Sequence, residues 1–97
     1  MMDRTYTDKV TADHDGEAVA VSGWAHEIRD LGGITFVILR DRKGKIQLTF
    51  KEDEDEELFE NAQNIGKEDV IWAKGIVQAN DQAPGDRELH PEELKII

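Results

Sequence analysis

The sequence predicts an all-β barrel of five strands, with one helix between the third and fourth strands. Three observations lead to this fold class. Apolar residues alternate with polar ones in short segments, and turn residues such as Gly-Gly separate those segments. The third observation is a single stretch in which apolar residues recur at helical spacing. A chain of 97 residues has room for one core, so residues 1–97 are treated as one domain.

The first strand is expected over residues 17–30, where apolar residues alternate along the chain. Gly23 within this run predicts a bulge or a sharp coil of the sheet. Trp24 is predicted to lie in the core, because a lone large aromatic next to a glycine is more often buried than exposed. Residues 1–17 show no clear period, so they form either a helix or a segment that packs on the barrel.

A Gly-Gly turn precedes the second strand, which starts at Ile34, and residues 41–44 form the turn to the third strand at residues 45–50. Alternation places Phe36 and Gln47 on one face of this hairpin. The opposite face is expected to be the core face, and its apolar residues are Val37, Leu39, Ile46, Leu48 and Phe50.

An acidic run at residues 52–57 precedes Leu58, Ala62 and Ile65, which recur at the spacing of one helix face. Acidic side chains in the first turn favour the helix dipole, and Gly66 is expected to end the helix in the left-handed conformation. The run lacks the glycine and the spaced ligands of a calcium loop, so a solvated helix start is the preferred interpretation.

The fourth strand is expected at residues 69–79 and a short fifth strand at residues 93–97, with a polar loop at residues 80–91 between them. Five strands with a helix between the third and fourth is the order of an OB-fold. In that fold, the loops at residues 30–33 and 80–91 flank the face that binds nucleic acid.

Phe36 and Gln47 form the candidate site on this face. An aromatic ring beside an amide, with Arg and Lys nearby, suits an unstacked nucleic-acid base, because the ring can stack on the base while the amide hydrogen-bonds its edge. The alternative is that Phe36 is a second-face core residue, covered by a helix or by a terminus.

The charge distribution supports a nucleic-acid partner although the net charge is −10. Residues 29–51 carry six basic and two acidic side chains, a local charge of +4, whereas the other residues sum to −14. A surface as acidic as this is typical of proteins from salt-saturated cytoplasm, where the Debye length falls to about 3 Å or below. Recognition would then depend on stacking and hydrogen bonds more than on attraction to phosphates.

Composition excludes several other classes of function. The chain has no Cys, and its three His residues are widely separated and lack the spacing of zinc ligands, so no metal site is expected. No apolar run approaches the ~18 residues of a membrane span and no signal peptide opens the chain, so we expect a cytoplasmic protein without membrane contact.

Residues 21–34 (VSGWAHEIRDLGGI) and 39–47 (LRDRKGKIQ) closely resemble the N-terminal anticodon-binding domain of archaeal-type aspartyl-tRNA synthetases. The resemblance covers nearly the whole chain. The order of Gly-Trp, Arg-Asp-Leu-Gly, Phe, Arg-Asp-Arg and Gln at these spacings is specific to the aspartate, asparagine and lysine group. The acidic surface and the opening at residues 3–7 are similar to haloarchaeal members.

The resemblance implies roles for individual residues. Phe36 would stack on the middle anticodon base, a uridine, and Gln47 would hydrogen-bond its edge. Arg29 would contact the anticodon backbone or the third base. Glu93, in a loosely aligned region, would help to recognise the guanine at the first position.

His26 and Pro84 are similar to the non-discriminating type of this family, whose members also charge asparagine tRNA with aspartate. Members strict for aspartate tRNA tend to carry Trp and Lys at these two positions. The plainer interpretation is that His26 is a polar residue at a strand end and Pro84 a loop-stiffening turn residue.

The resemblance implies that the partner is a tRNA anticodon loop and that the full-length enzyme is a homodimer, the domain alone being a monomer. ATP and magnesium would belong to a catalytic domain that the 97 residues lack, so no cofactor is expected here. Nothing in the sequence offers a nucleophile–base pair or a phosphate-binding glycine loop, and no catalytic residue is expected.

Two other functions stay open. A general single-strand-binding OB domain would show several exposed aromatic residues along the face, and only Phe36 is a clear candidate. A protein-interaction OB domain would use Phe36, Ile38 and the acidic helix to contact another protein.

Overall fold

The structure, a computed structural model, describes residues 4–97, so Asp3 of the opening segment lies outside the described residues. Five strands form a closed barrel in the order β1-β2-β3-β5-β4, and neighbouring strands are antiparallel except β3 and β5, which are parallel. The elements are β1 (Ala18–Asp30), β2 (Ile34–Asp41), β3 (Gly44–Lys51), α1 (Glu56–Ala62), β4 (Val70–Ala79) and β5 (Arg87–Ile96). The predicted five-stranded barrel with one helix between its third and fourth strands is confirmed.

The core lies inside the barrel, where the alternating residues of β2 and β3 meet those of the other strands. All five residues predicted for the core face of the hairpin are at most 2% exposed. Ile71 on β4 and Leu89 on β5 are also fully buried and belong to the same cluster. Burial of each large aliphatic side chain stabilises the fold by about 1.5–3 kcal/mol.

Strand β1 bends around the barrel because it pairs with β2 along one half and with β4 along the other. The register with β2 shifts between Ala25 and Glu27, so His26 is the extra residue of a β-bulge. Gly23 permits a close approach to β2, since a Cβ atom there would lie 2.2 Å from the carbonyl oxygen of Arg40. The predicted distortion near Gly23 therefore consists of this close approach and of a bulge three residues later.

The prediction that Trp24 is buried is wrong, because 42% of the residue is exposed. Trp24 on β1 is the register partner of Arg40 on β2, and both side chains are on the outer side of the barrel. The Arg40 guanidinium lies 5.6 Å from the centre of the indole ring, at the distance of a cation–π contact. The strand period thus outweighed the general preference of tryptophan for the interior.

Helix α1 is shorter than predicted, because it ends at Ala62, whereas the apolar spacing extended to Ile65. Asp55 is its N-cap, and its Oδ1 accepts a hydrogen bond from the Leu58 N–H at 3.0 Å. Phe59 and Ala62 are buried, while Ile65 is buried beyond the last turn. Gly66 does not end the helix in the left-handed conformation as predicted, because the helix has already ended at Ala62 and the Gly66 N–H donates to Asp69 Oδ2 at 2.7 Å.

Strand β5 begins at Arg87 and not near Glu93, so the predicted loop at residues 80–91 is too long. Pro91 resembles a strand breaker in the sequence, but the structure places it opposite Gly75, where the β4–β5 register shifts. A Cβ atom at Gly75 would lie 2.1 Å from the carbonyl oxygen of His90, so the glycine lets the two strands approach at this irregularity.

The N-terminal segment packs on the barrel in two short 3-10 turns, Thr7–Lys9 and Ala12–His14, which decides between the two possibilities left open by the sequence. Asp41 accepts hydrogen bonds from the Thr7 N–H and hydroxyl at 2.8 and 2.9 Å. Arg87 donates to the carbonyl oxygens of Thr7 and Val10, both at 2.8 Å. Two buried charged side chains therefore fasten this segment to the strands.

Candidate nucleic-acid interface

Phe36 lies in the middle of β2, with Arg29 of β1 opposite it on one side and Thr49 of β3 on the other. Cross-strand partners project from the same face of a sheet, and Gln47 shares the face of Thr49 because it lies two residues away on β3. The structure therefore brings Arg29, Phe36 and Gln47 together on the outer face of the barrel. Phe36 and Gln47 are half-buried, and Arg29 is exposed.

Basic side chains continue this face towards the β2–β3 turn. Arg40 and Lys45 are register partners, and each lies two residues along its strand from Ile38 and Gln47, respectively. Both are exposed. Arg40 also makes an ion pair with Glu68 at 3.8 Å, whose side chains are 44% and 56% exposed. Such an exposed pair contributes about 1 kcal/mol at most, so it does not prevent Arg40 from binding a phosphate.

Glu88 is the residue of this face that sequence analysis missed. The parallel pairing of β3 with β5 places it opposite Gln47. It is 4% exposed, and its two carboxylate oxygens accept hydrogen bonds from Thr49 Oγ1 at 2.5 Å and from Asn80 Nδ2 at 2.6 Å. The alternation of Glu88 with the apolar Leu89 was a signal for a strand at this point, but Pro91 obscured it.

The surroundings of Glu88 favour its ionised form. Burial acts to raise the pKa of Glu88, but the nearby His90 and the hydrogen bonds from Thr49 and Asn80 outweigh this effect and lower the pKa to about 2. A buried carboxylate in this state accepts hydrogen bonds and cannot donate them. Its position beside Gln47 thus adds a fixed acceptor group to the face.

His90 lies next to Glu88 and connects it to the segment before α1. Its Nδ1 lies 3.1 and 3.3 Å from the two carboxylate oxygens of Glu54, and its Nε2 lies 3.5 Å from Glu88 Oε1. The contact with Glu88, and then the charge of Glu54, raises the pKa of His90 against the opposing effect of burial. Glu54, in turn, lies 4.0 Å from the ammonium group of Lys51.

The structure does not bring Glu93 to this face, which corrects the expected position of the acidic residue near the last strand. Glu93 is the register partner of Lys74 on β4, and their side chains form an ion pair at 3.5 Å. Pairing between β3 and β5 involves Glu88 and Leu89 only. The β5 carboxylate beside Gln47 is therefore that of Glu88, five residues earlier than expected.

His26 and Pro84 lie in two irregular parts of the chain. His26 is the half-buried bulge residue of β1, three residues before Arg29, and its Nδ1 has no hydrogen-bond partner among residues 4–97. Pro84 is exposed and starts the 3-10 turn Pro84–Asp86 before β5. Its carbonyl oxygen accepts a hydrogen bond from Arg87 Nη1 at 2.9 Å, so the turn is tied to the buried Arg87.

Within residues 4–97, no group of three or more His, Asp or Glu side chains is arranged to hold a metal ion. In the same part of the chain, no helix has the length and apolar character needed to cross a bilayer.

A closed five-stranded barrel that carries an aromatic ring, an amide and basic groups on one outer face is an OB-fold of the nucleic-acid-binding class. Residues 19–97 match the tRNA anticodon family, described as an OB-fold nucleic acid binding domain. Since the match covers most of the chain, the chain belongs to this family.

Comparison with individual proteins shows which members of this family the chain is similar to. Over its full length the chain is 48% identical to the aspartate–tRNA(Asp/Asn) ligase of Methanopyrus kandleri, and equally identical to the corresponding ligase of Haloferax volcanii. The asparaginyl-tRNA synthetase of Pyrococcus horikoshii superposes on the whole chain with a TM-score of 0.91 at 34% identity. The chain spans 23%, 22% and 23% of these three proteins, respectively. The resemblance to the anticodon-binding domain of archaeal aspartyl-tRNA synthetases is thus confirmed.

Proposed function

We propose that the chain binds the anticodon loop of aspartate and asparagine tRNA, as the recognition domain of an ATP-dependent aspartate–tRNA ligase. The observation that carries this proposal is the outer face on which Phe36, Gln47 and Glu88 lie side by side. The names of the relatives, which are ligases for both tRNAs, agree with it.

The face suits two neighbouring bases of a splayed loop. The ring of Phe36 offers a stacking surface, and the amide of Gln47 can both donate to and accept from the edge of a uridine. The Glu88 carboxylate suits a guanine, whose N1–H and amino group are donors on one edge. Arg29, exposed across the strand from Phe36, is placed to contact the backbone or the third base.

Recognition of both tRNAs requires tolerance at the third anticodon base, where the two differ. His26 lies three residues from Arg29 on the same strand, and Pro84 lies in the turn that leads to Glu88. These positions support a part for both residues in the tolerance, as in the non-discriminating members that the sequence resembles.

The test is binding of the domain, in molar potassium chloride, to anticodon stem-loops carrying GUC, GUU and GAC. We expect tight binding to the first two and loss of binding to GAC. A clear preference for GUC over GUU would retain the anticodon function and overturn tolerance at the third base. Equal binding to all three, or binding to none, would overturn the proposal.

General single-strand binding is the second candidate, and the exposed Trp24 is the observation that favours it. Trp24 adds a second aromatic ring to the outer surface, with Arg40 beside it. Binding to unstructured oligouridine or oligoadenine as tight as binding to the GUC stem-loop would favour this function.

A further inference from the structure

His90 lies between two carboxylates that belong to different parts of the fold. Glu54 comes from the connection between β3 and α1 and lies within hydrogen-bond distance of Nδ1, at 3.1 Å. Glu88 lies on β5, and its Oε1 is 3.5 Å from Nε2, a buried atom that has no hydrogen-bond partner among residues 4–97. Ionised carboxylates only accept hydrogen bonds. A neutral imidazole has one N–H and can donate to one of them, but an imidazolium can donate to both. The arrangement around His90 is therefore complementary to its doubly protonated form.

We propose that protonated His90 is a positioning residue that ties the β3–α1 connection to Glu88 and fixes this carboxylate beside Gln47, so that anticodon-loop binding weakens when His90 loses its proton. The effect on RNA binding rests on the proposed function. The coupling between His90 and the two carboxylates is a property of the free domain.

The surroundings of His90 favour its charged form from each side. A groove of about 440 Å³ lies beside His90. Its neutral lining includes Pro91 and three residues of β4: Ile76, Val77 and Gln78. Charged residues of three segments complete the lining. Those charged residues are all acidic: Asp15 before β1, Glu54 and Asp55 before α1, and Glu92 on β5. Among residues 4–97, Lys51 is a cation close to this cluster, and its ammonium group lies 4.0 Å from Glu54 Oε1. Since His90 is 14% exposed, solvent screens these charges only in part.

Loss of the proton changes the cluster in two ways. One of the two contacts between the imidazole and the carboxylates loses its donor, and Glu88 keeps its hydrogen bonds from Thr49 and Asn80 but loses the charged group that lies 3.5 Å from its Oε1. The combined charge of Glu54, His90 and Glu88 also falls from −1 to −2, which opposes the approach of RNA phosphates. Both changes weaken binding to the face, and neither requires Glu88 itself to titrate.

The direction of the pH dependence follows from the raised pKa of His90. A group whose pKa is higher in the folded state stabilises that state fully below its unfolded-state pKa of about 6.5. The stabilisation disappears as pH rises through the folded-state pKa, which lies above 6.5, so the positioning is expected to be complete in acidic solution below pH 6.5 and to be lost as pH rises.

The experiment compares the wild-type domain with His90→Gln between pH 5.5 and 8.5 in molar potassium chloride. Affinity for the GUC stem-loop is measured across this range, together with carbon-13 NMR titrations of the Glu54 and Glu88 carboxyl groups in the free domain. His14→Gln is the matched control, since His14 lies in the N-terminal segment and contacts Thr11. Glu54→Gln removes one of the two anchors of His90 and leaves the other.

We expect wild-type affinity to fall several-fold as pH rises, with the carboxyl signals shifting at the same midpoint as His90. The His90→Gln variant should bind at all pH values as the wild type does at high pH, His14→Gln should follow the wild type, and Glu54→Gln should move the midpoint to lower pH. An unchanged pH profile in His90→Gln, or carboxyl signals that do not follow His90, would overturn the proposal. If no stem-loop bound at any pH while the carboxyl groups still titrated with His90, the proposed function would fail but the positioning of Glu88 would stand.

Discussion

Gln47 and Glu88 are register partners across the parallel pairing of β3 with β5. This relationship joins two groups that lie 41 positions apart in the chain and places an amide next to a buried, ionised carboxylate. Thr49, on the same face of β3, donates a hydrogen bond to Glu88 at 2.5 Å and restrains the carboxylate. A base edge that meets this pair finds a fixed acceptor beside a group that can both donate and accept, which is the basis for distinguishing one base from another.

Replacement of Phe36 by Ala should weaken binding to the GUC stem-loop by about 1–3 kcal/mol, because it removes the stacking surface for one base. The free energy of unfolding should change little, since Phe36 is half-buried on the outer face. Calorimetric titration with the stem-loop and urea unfolding check the two expectations. Phe50→Ala is the matched control: this ring is 2% exposed, and its loss should cost about 3–5 kcal/mol of stability. Comparable destabilisation by Phe36→Ala would show that Phe36 is a core residue.

Replacement of Gln47 by Ala should relax the preference for uridine at the middle position. The amide is the group that hydrogen-bonds the base edge, whereas Phe36 would still stack on any base. Affinities for GUC, GAC and GCC stem-loops measure the change, and the three values should move closer together. A uniform loss of affinity for all three, with their ratios unchanged, would contradict the assigned role.

Replacement of Glu88 by Gln should reduce the preference for guanine over adenine at the first anticodon position, because the carboxylate acceptor is lost. Glu93→Gln is the natural control, since Glu93 lies on the same strand but pairs with Lys74. That ion pair is exposed and contributes about 1 kcal/mol at most, so its loss should leave both stability and base preference nearly unchanged. Stem-loops carrying GUC and AUC distinguish the two variants. If Glu93→Gln altered the base preference and Glu88→Gln did not, the role expected from the sequence would return to Glu93.

Local patterns predicted β2 and β3, with their core face, because alternation along a hairpin depends only on neighbours in the chain. They predicted a fifth strand but not where it begins, since the start of β5 at Arg87 depends on parallel pairing with β3 and on Gly75 accommodating Pro91 across β4. The shared face of Phe36 and Gln47 was therefore predicted, whereas the position of Glu88 beside Gln47 was missed. Trp24 was placed in the core from residue type, but it is 42% exposed, because its position along β1 points its side chain away from the barrel interior.

Asp41 provides a prediction about stability in acid. It accepts four hydrogen bonds, from the Thr7 N–H and hydroxyl and from the backbone N–H groups of Lys43 and Gly44, at 2.8–3.0 Å. Burial acts to raise the pKa of Asp41, but these hydrogen bonds outweigh it and leave the pKa below its ordinary value of 3.8. A lowered pKa means that the ionised form stabilises the fold above about pH 4, and that this contribution disappears as pH falls through the folded-state pKa.

Ionised Glu88 also stabilises the fold, and this stabilisation is likewise lost at low pH. Its pKa is lowered from 4.5 to about 2, a difference equivalent to about 3 kcal/mol. Urea unfolding in molar potassium chloride should therefore show the free energy of unfolding falling steadily from pH 5 towards pH 2. Asp41→Asn should lower stability at pH 7 by about 1–3 kcal/mol, because the amide oxygen replaces only one of two acceptors, and should reduce the slope at low pH. Asp13→Asn, at an exposed position, should leave the curve unchanged. A slope as steep in Asp41→Asn as in the wild type would show that Asp41 is not a source of the acid sensitivity.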